Sequence, residues 1–178
     1  MLKKIFRFIF MAIAVILGIG LFLPGTTRVE REIDIQTPTP MVFAQLNDLK
    51  NWENWSPWLK IDPQIEMAYA PQTEGVGAWY TWKSLNKGVG TGKVTILDVK
   101  TNELVHYKLL IDGWSEATSD LKCSVKDSLS THVTWRFDGE HGMNPLSRWL
   151  GFVAFERFVA PDYEKGLMNL KVVCESKK

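Results

Sequence analysis

The sequence contains few of the residues on which many catalytic and metal sites depend. It has two cysteines and three histidines among its 178 residues. The histidines, His106, His132 and His141, have no partner four residues away and no cysteine at ligand spacing, so we expect no metal site. The chain also has no Gly-x-Ser-x-Gly motif for a nucleophilic serine. We therefore predict no catalytic residue set and no cofactor.

An excess of charge of one sign is also missing. The chain has 21 Lys plus Arg against 20 Asp plus Glu, a formal net charge of +1. Beyond the first seven residues the basic side chains are scattered among acidic ones, whereas a nucleic-acid-binding protein normally concentrates them on one face. We therefore expect no nucleic-acid partner.

Long apolar runs are absent except at the start of the chain, where residues 5–23 are apolar apart from Arg7. At about 1.5 Å per residue this run reaches about 28 Å as a helix, close to the thickness of the hydrocarbon core of a bilayer. Lys3 and Lys4 precede it, which places the N-terminus in the cytoplasm by the positive-inside tendency. The pattern predicts a single-pass helix in the cytoplasmic (inner) membrane. Residues 1–25 then form the anchor, and residues 26–178 form one domain on the periplasmic or extracellular side.

Two alternatives for this run remain open. A cleaved signal peptide also begins with basic residues and an apolar core, but its core is usually about 7 to 15 residues long and ends in small residues. Here Leu21, Phe22, Leu23 and Pro24 occupy that place. A buried core helix is the second alternative, and the length of the run argues against it.

The first segment after the run predicts a strand followed by two short helices. Residues 28–36 alternate, with Val29, Arg31, Ile33 and Ile35 on one side, which predicts a half-buried strand. A helix is expected over residues 41–48, with Thr39 as its N-cap and Pro40 at its first position. A second short helical or turn segment contains three tryptophans at spacings of three, for which packing in the core is the favoured interpretation.

Residues 64–139 predict six further strands. Apolar and polar residues alternate over the segments 65–69, 78–83, 93–99, 104–111, 117–125 and 131–138. Short connections rich in Gly, Asn and Asp separate these segments and are typical of antiparallel neighbours. An antiparallel meander is the economical interpretation.

The C-terminal part predicts a long helix interrupted near Pro161. Residues 146–159 are apolar on nearly all sides, so we expect this helix to be covered on more than one face. Pro161 is expected to break or kink it, with the last helix over about residues 161–175. Gly166 in that helix suggests a close approach of its backbone to the sheet. Cys123 and Cys174 should both point inward, and two separate buried thiols are favoured over a bridge.

The order of these elements resembles the SRPBCC (START-like) superfamily, and in particular its bacterial polyketide cyclase/dehydrase-like branch. The matching segments are VEREIDIQTPTPMVFAQLNDLKNWENWSPW, GVGAWYTWKS, GVGTGKVTILD and APDYEKGLMNLK, within residues 27–175. The resemblance implies an α+β helix-grip fold: a curved antiparallel sheet of about seven strands wrapped on a long C-terminal helix. It also implies a cavity for a hydrophobic ligand between sheet and helix. It transfers no catalytic motif, since fold alone does not determine function.

Aromatic side chains that share strand parity could line that cavity. The predicted ligand-binding residues are Trp58, Tyr80, Trp82, Tyr107, Trp135 and Phe155. Packing in the core is the alternative for each of them. Glu156 with Arg157 is a possible pocket acid and partner, although a pair at the rim is favoured because buried charges are costly.

The leading functional hypothesis is a membrane-anchored, non-enzymatic domain that binds a lipid or another hydrophobic small molecule. The first alternative is a polyketide cyclase- or dehydratase-like enzyme in which a Tyr, His or Glu in the cavity transfers protons. The second alternative is a protein-interaction module with a vestigial cavity, which a large exposed apolar patch would favour.

Overall fold

The structure, a computed structural model, describes residues 2–113 and 116–176. Over these residues the chain forms four α-helices: α1 (Leu2–Phe22), α2 (Thr39–Asn47), α3 (Pro145–Leu150) and α4 (Glu156–Glu175). Two short 3₁₀ helices, Leu49–Asn54 and Trp58–Lys60, follow α2, and a π-helical turn, Gly151–Phe155, joins α3 to α4. The strands are β1 (Thr26–Ile35), β2 (Glu66–Tyr69), β3 (Trp79–Lys83), β4 (Thr91–Lys100), β5 (Leu104–Ile111), β6 (Ala117–Asp127) and β7 (Ser130–Glu140).

The seven strands form one antiparallel sheet in the order β1-β7-β6-β5-β4-β3-β2. β1 closes onto β7, with Thr26 opposite Glu140, and the other neighbours are consecutive in the chain. The predicted α+β helix-grip fold, with about seven antiparallel strands and a long C-terminal helix, is therefore confirmed.

The strand registers give the sheet two distinct ends. One end contains the first residue of β1 and the last residues of β5 and β7, and α1 leads directly into it. We call this the α1 end, and the opposite one the far end. Helix α4 runs from the α1 end to the far end, because Arg31 contacts Glu156 near its start and the Gln36 amide donates to Glu175 near its finish. The helix therefore follows β1 along the concave face of the sheet.

The two predicted helices after β1 are present, but the expected cap of the first is wrong. Thr39 is the first residue of α2, Pro38 precedes it, and no side chain caps this helix. The Thr39 hydroxyl instead lies 3.1 Å from the Thr131 hydroxyl, and both residues are buried. The tertiary contact therefore takes the oxygen that the sequence pattern assigned to the helix terminus.

The C-terminal helix also differs from the prediction. Pro161 lies inside α4 without ending it, and the helix begins earlier, at Glu156. The expected cover on more than one face of residues 146–159 is absent among the described residues, since Leu146, Leu150, Phe152 and Val153 are each 60% or more exposed. This segment therefore presents an apolar surface that the chain itself does not bury.

Helix α1 is long and apolar enough to cross a membrane. Its candidate span, Lys3–Phe22, has a mean hydropathy of 2.5 and is only 6% buried within the protein. The thiols of Cys123 and Cys174 are both buried, as predicted.

Candidate functional site

The space between the sheet and α4 is occupied by aromatic side chains. We call six of them the aromatic cluster: Trp52, Trp55, Tyr80, Tyr107, Trp135 and Tyr163, each 5% exposed or less. Trp52 contacts Trp55 and Tyr107 with ring centroids 5.1 and 5.0 Å apart, and Trp135 lies 4.1 Å from Tyr163. The Trp52–Tyr107 contact is edge-to-face, a geometry that aromatic rings prefer, and the other two contacts are tilted. The cluster therefore fills the centre of the grip.

Hydrogen bonds fix the polar atoms of this cluster. The Trp135 indole donates to the Tyr107 hydroxyl at 2.7 Å and to the Ser119 hydroxyl at 3.2 Å. The Tyr163 hydroxyl lies 3.5 Å from the same serine oxygen. Burial raises the pKa of Tyr107 and of Tyr163 above its ordinary value, so both phenols stay protonated at neutral pH. These groups complete a structural network rather than supply a base.

Gly166 allows α4 to approach this cluster. A Cβ at that position would lie 2.5 Å from Cζ3 of Trp135 and 3.2 Å from Cδ of Pro57. The predicted close approach of the helix backbone to the sheet is therefore confirmed. It brings Tyr163 and Leu167 onto the sheet, where both are 1% exposed.

The α1 end of the concave face is less completely covered. Met67, Trp82, Leu109 and Ile111 share the concave face by strand parity and register, and all four are only partly buried. We call these four residues the concave strip. The Trp82 indole donates to the Val89 carbonyl at 3.1 Å, and its ring lies against Gly92, where a Cβ would be only 2.4 Å away. The strip is thus an ordered apolar surface that remains open on one side.

Two grooves over the described residues lie outside the aromatic cluster. A shallow groove of about 540 Å³ crosses β2–β5, and its side chains include Thr81, Lys83, Lys93 and Leu110. These four residues alternate with the concave strip and so lie on the outer face of the sheet, and Met67 and Trp82 of the strip also border the groove. A second groove, of about 210 Å³, lies between α2 and Cys174 near the end of α4. The side chains of the aromatic cluster are buried, whereas those of the concave strip are only partly buried.

The candidate titratable groups lie at the rim or on the outer face. Glu156 pairs with Arg31, at 2.5 Å, rather than with Arg157, and its side chain is 62% exposed. Arg31 also binds Glu164 at 2.7 Å, so it links β1 to two turns of α4. His132 faces outward, with Nδ1 2.9 Å from Asp34. Glu156 thus forms the rim pair that the sequence favoured, with a different partner.

One histidine lies at the α1 end. The ring of His141 contacts the Thr27 hydroxyl at 2.6 Å, and the backbone of Gly151 lies directly against this pair. Partial burial, and then the charge of Arg148, lower the pKa of His141 below 6.5. The neutral imidazole is therefore the favoured form here.

The predicted ligand-binding residues divide between these two regions. Tyr80, Tyr107 and Trp135 belong to the aromatic cluster, and Trp58 borders it through ring contacts with Trp135 and Tyr163. The Trp58 indole donates to Asp162 at 3.0 Å. Trp82 belongs to the concave strip, and the Phe155 side chain lies outside the part of the chain that the structure describes.

Sequence reasoning did not identify the aliphatic half of the strip. Leu109 and Ile111 share parity with Tyr107 on β5, so the alternation that selected Tyr107 could also have selected them. The prediction included only aromatic side chains, so it left these two aliphatic residues out.

A seven-stranded antiparallel sheet that grips a long C-terminal helix defines the class of helix-grip proteins. Residues 26–175 match the family described as "Polyketide cyclase / dehydrase and lipid transport", and the chain belongs to this family. No curated protein matches the chain.

Solved structures share the fold at low sequence identity. A norcoclaurine synthase from Thalictrum flavum, in complex with dopamine and hydroxybenzaldehyde, has a TM-score of 0.66 at 9% identity, over 90% of this chain and 92% of its own. An aromatase/cyclase from Streptomyces has a TM-score of 0.62 at 14% identity, over 85% and 95%. A Staphylococcus aureus protein of unknown function has a TM-score of 0.61 at 12% identity, over 85% and 96%. At these identities the likeness concerns the fold alone.

Proposed function

We propose that this protein is a membrane-anchored binding domain for a lipid or another hydrophobic small molecule, without enzymatic activity. Its binding surface is the concave strip, together with the start of α4. The single observation that carries the proposal is that four apolar residues on the concave face remain partly exposed at the α1 end. A ligand that covered them would complete the burial that α4 and the 3₁₀ helices provide elsewhere.

The chemistry of the strip favours an apolar ligand. Met67, Leu109 and Ile111 offer no hydrogen-bonding side chain, and the indole nitrogen of Trp82 is already bonded to Val89. A polar ligand would lose hydrogen bonds to water here without replacement, which costs free energy. The family description, which includes lipid transport, is consistent with an apolar ligand.

The positions of the titratable groups support a binding role over catalysis. An acid-base mechanism needs a titratable group that can reach the ligand. Glu156 is exposed and paired with Arg31, while His132 lies on the opposite face of the sheet. The phenols of Tyr107 and Tyr163 are buried in the cluster with raised pKa values. Among Glu156, His132 and these two phenols, the enzymatic alternative, a cyclase or dehydratase, therefore has no well-placed proton carrier, and His141 is a further titratable side chain at the α1 end.

The membrane tether is part of the proposal. The span in α1 ends at Phe22, and β1 begins four residues later at Thr26. The α1 end of the grip therefore works within a few residues of the bilayer surface. This proximity favours a lipid-like ligand over a freely diffusing polar one.

Neighbouring residues on β5 provide a matched test. Leu109 faces the concave side, whereas Leu110 faces the outer groove and is 40% exposed. In the full-length chain, Leu109→Gln should weaken binding of a long-chain fatty acid by about tenfold, since it places an unpaired amide in the apolar site. Leu110→Gln should leave binding unchanged. Native mass spectrometry of protein released from micelles, with the fatty acid titrated, measures both.

Three other outcomes would contradict the proposed site, the proposed ligand or the absence of enzymatic activity. If Leu110→Gln weakens binding and Leu109→Gln does not, the ligand occupies the outer groove and the proposed site is wrong. If the unmodified chain retains no fatty acid at any concentration, fatty-acid binding is excluded. Turnover of an aromatic polyketide by the purified chain would instead support the enzymatic alternative.

A further inference from the structure

The segment formed by α3 and the π-helical turn, Pro145–Phe155, packs against the end of α1. The Arg148 guanidinium donates to the carbonyls of Leu21, at 2.5 Å, and Leu23, at 3.1 Å, where the helix leaves its last backbone acceptors unbonded. The Trp149 indole donates to the Ile16 carbonyl at 2.8 Å. The segment therefore extends along α1 by more than a turn and does not merely touch its end.

The backbone of α1 permits this contact at one position. A Cβ on Gly20 would lie 2.8 Å from Cβ of Pro145 and 2.9 Å from Cδ1 of Trp149. Gly18, two residues earlier on the same helix, has nothing within 4 Å of such an atom. Gly20 thus allows close packing of α3 on α1, and Gly18 provides a matched comparison.

The contact also indicates how far the Trp149 indole lies from the end of α1 along the helix axis. The Ile16 carbonyl lies six residues before the end of α1 at Phe22, which corresponds to about 9 Å along the helix axis. If α1 spans the bilayer with its apolar run, the Trp149 indole lies about that far below the level of Phe22. Interfacial helices insert their apolar faces about 5–10 Å into the boundary between headgroups and acyl chains. The position of Trp149 matches this range.

The face of the segment turned away from the protein is apolar. Leu146 and Leu150, four residues apart, lie on one face of α3, and Val153 follows in the π-helical turn; they are 60%, 66% and 63% exposed, and we call these three residues the stripe. Phe152 is 62% exposed beside this stripe. Exposed apolar side chains in such a group indicate a binding surface. The surface is continuous with the exposed apolar surface of α1, because the two helices are in contact.

We propose that Pro145–Phe155 is an interfacial membrane helix, with Leu146, Leu150, Phe152 and Val153 embedded in the bilayer beside α1. The proposal rests on the proposed membrane span of α1. It gives the domain a second attachment and fixes its orientation, so that the α1 end of the grip faces the membrane. The concave strip at that end would then lie next to the lipid phase, with α4 beginning at the bilayer surface.

Site-specific labels on the full-length chain test this inference. A fluorescent thiol label is attached to Leu150→Cys, and in separate samples to Ile13→Cys in α1 and to Leu129→Cys in the β6–β7 hairpin. Leu129 is 67% exposed, as Leu150 is 66% exposed, but it lies at the far end. Both native thiols are buried, and burial raises the pKa of Cys123 to about 12, so labelling favours the introduced cysteines. The unsubstituted chain controls for background labelling.

The labelled proteins are reconstituted in vesicles of phosphatidylcholine and phosphatidylglycerol. Lipids with a nitroxide close to the headgroup should quench the Leu150→Cys label, while a water-soluble nickel chelate should not reach it. The Leu129→Cys label should be quenched by the nickel chelate and not by the nitroxide lipids. Val153→Cys repeats the measurement at a second position of the stripe, in case one variant fails to fold.

The remaining outcomes overturn the inference in distinguishable ways. A Leu150→Cys label that the nickel chelate quenches means that the segment lies in water. A label shielded from both quenchers means that protein covers the stripe, as in contact with a second copy of the chain. Either result leaves the anchor intact if the Ile13→Cys label is quenched by nitroxides in mid-chain. If that label is not quenched, the proposed span itself fails, and the inference fails with it.

Gly20→Leu in the Leu150→Cys background tests the role of the helix contact. The larger side chain should displace α3 from α1 and cause a loss of lipid quenching, whereas Gly18→Leu should not. If lipid quenching is retained in the Gly20→Leu variant as it is in Gly18→Leu, the depth of the segment does not depend on its contact with α1.

Discussion

The aromatic cluster and the concave strip lie on the same face of the same sheet, yet only the cluster is closed. Tyr107 and Leu109 are two residues apart on β5 and share that face, but Tyr107 is 1% exposed and Leu109 is only partly buried. The difference comes from what lies above them. The Trp52 ring packs against Tyr107, and the Trp135 indole donates a hydrogen bond to its hydroxyl. Leu109 lies nearer the α1 end, beyond the cluster. Burial on this sheet is therefore decided by the covering elements rather than by the strand sequence.

The aromatic cluster and the concave strip should accordingly differ in how much they contribute to folding stability and to ligand binding. Fully buried aromatic side chains with satisfied hydrogen bonds stabilise the fold by several kcal/mol each. Partly exposed apolar residues contribute less to folding and remain available to a ligand. The cluster maintains the fold, and the strip is the region in which substitutions should change binding more than stability.

The sharpest test of this contrast compares two tryptophans. Trp135→Ala should lower the free energy of unfolding by about 3–5 kcal/mol, because it leaves a cavity and removes the indole partner of Tyr107. Trp82→Ala should cost clearly less, while it weakens fatty-acid binding. Urea unfolding of the full-length chain in micelles measures the stability of both variants. Equal losses of stability would contradict the division into cluster and strip.

The sequence predicted which strand side chains face inward better than it predicted which elements pack over them. Alternation correctly placed Tyr80, Tyr107 and Trp135 inward, because side-chain parity in a strand is local information. The helical spacing of the tryptophans favoured core packing, which is confirmed for Trp52 and Trp55. Neither pattern could indicate that these two rings would fill the space in which a ligand cavity was expected, since that depends on how the 3₁₀ helices dock.

The helices gave the least reliable predictions for the same reason. The residues from 146 to 159 were expected to be covered on more than one face because they are apolar on nearly all sides. In the structure their outer stripe is exposed and α1 covers only one side, so the apolar sequence alone did not identify the covering partner. Pro161 was expected to break or kink the helix; it does not break it, and the buried side chains of Ala160 and Tyr163 lie on either side of it in α4.

A second test examines how tightly α4 closes the cluster. Gly166→Ala should gain about 1 kcal/mol in helix propensity but lose about 1–3 kcal/mol through overpacking against Trp135. The overpacking term should prevail, because ring contacts and hydrogen bonds hold the Trp135 ring in place. Met168→Ala, on the exposed side of the same helix, should change stability by less than about 0.5 kcal/mol. A stabilised Gly166→Ala variant in urea unfolding would show that α4 can move away from the sheet.

The smallest expected effect is a difference between the α1 end and the far end of the sheet in how their stability depends on pH. At the α1 end, the pKa of His141 is lowered by burial and then by Arg148, so the folded state disfavours the protonated imidazole. The stability of this contact is therefore complete above about pH 6.5 and is lost as the pH falls through the ordinary imidazole range. At the far end, hydrogen bonds from Lys126 and then His132 lower the pKa of Asp34 below 3.8. Its contribution is lost only as the pH falls below the ordinary carboxyl range.

Acidification from about pH 7.5 to about pH 5.5 should therefore loosen the α1 end before the far end. Hydrogen exchange of the full-length chain in vesicles, corrected for the intrinsic pH dependence of amide exchange, should show faster exchange around Thr27 and Gly151, with little change around Asp34. His141→Gln should abolish this local response, because the amide does not titrate. If the response survives in His141→Gln, another group controls the α1 end. A uniform response along β1 would mean that the two ends of the grip open together.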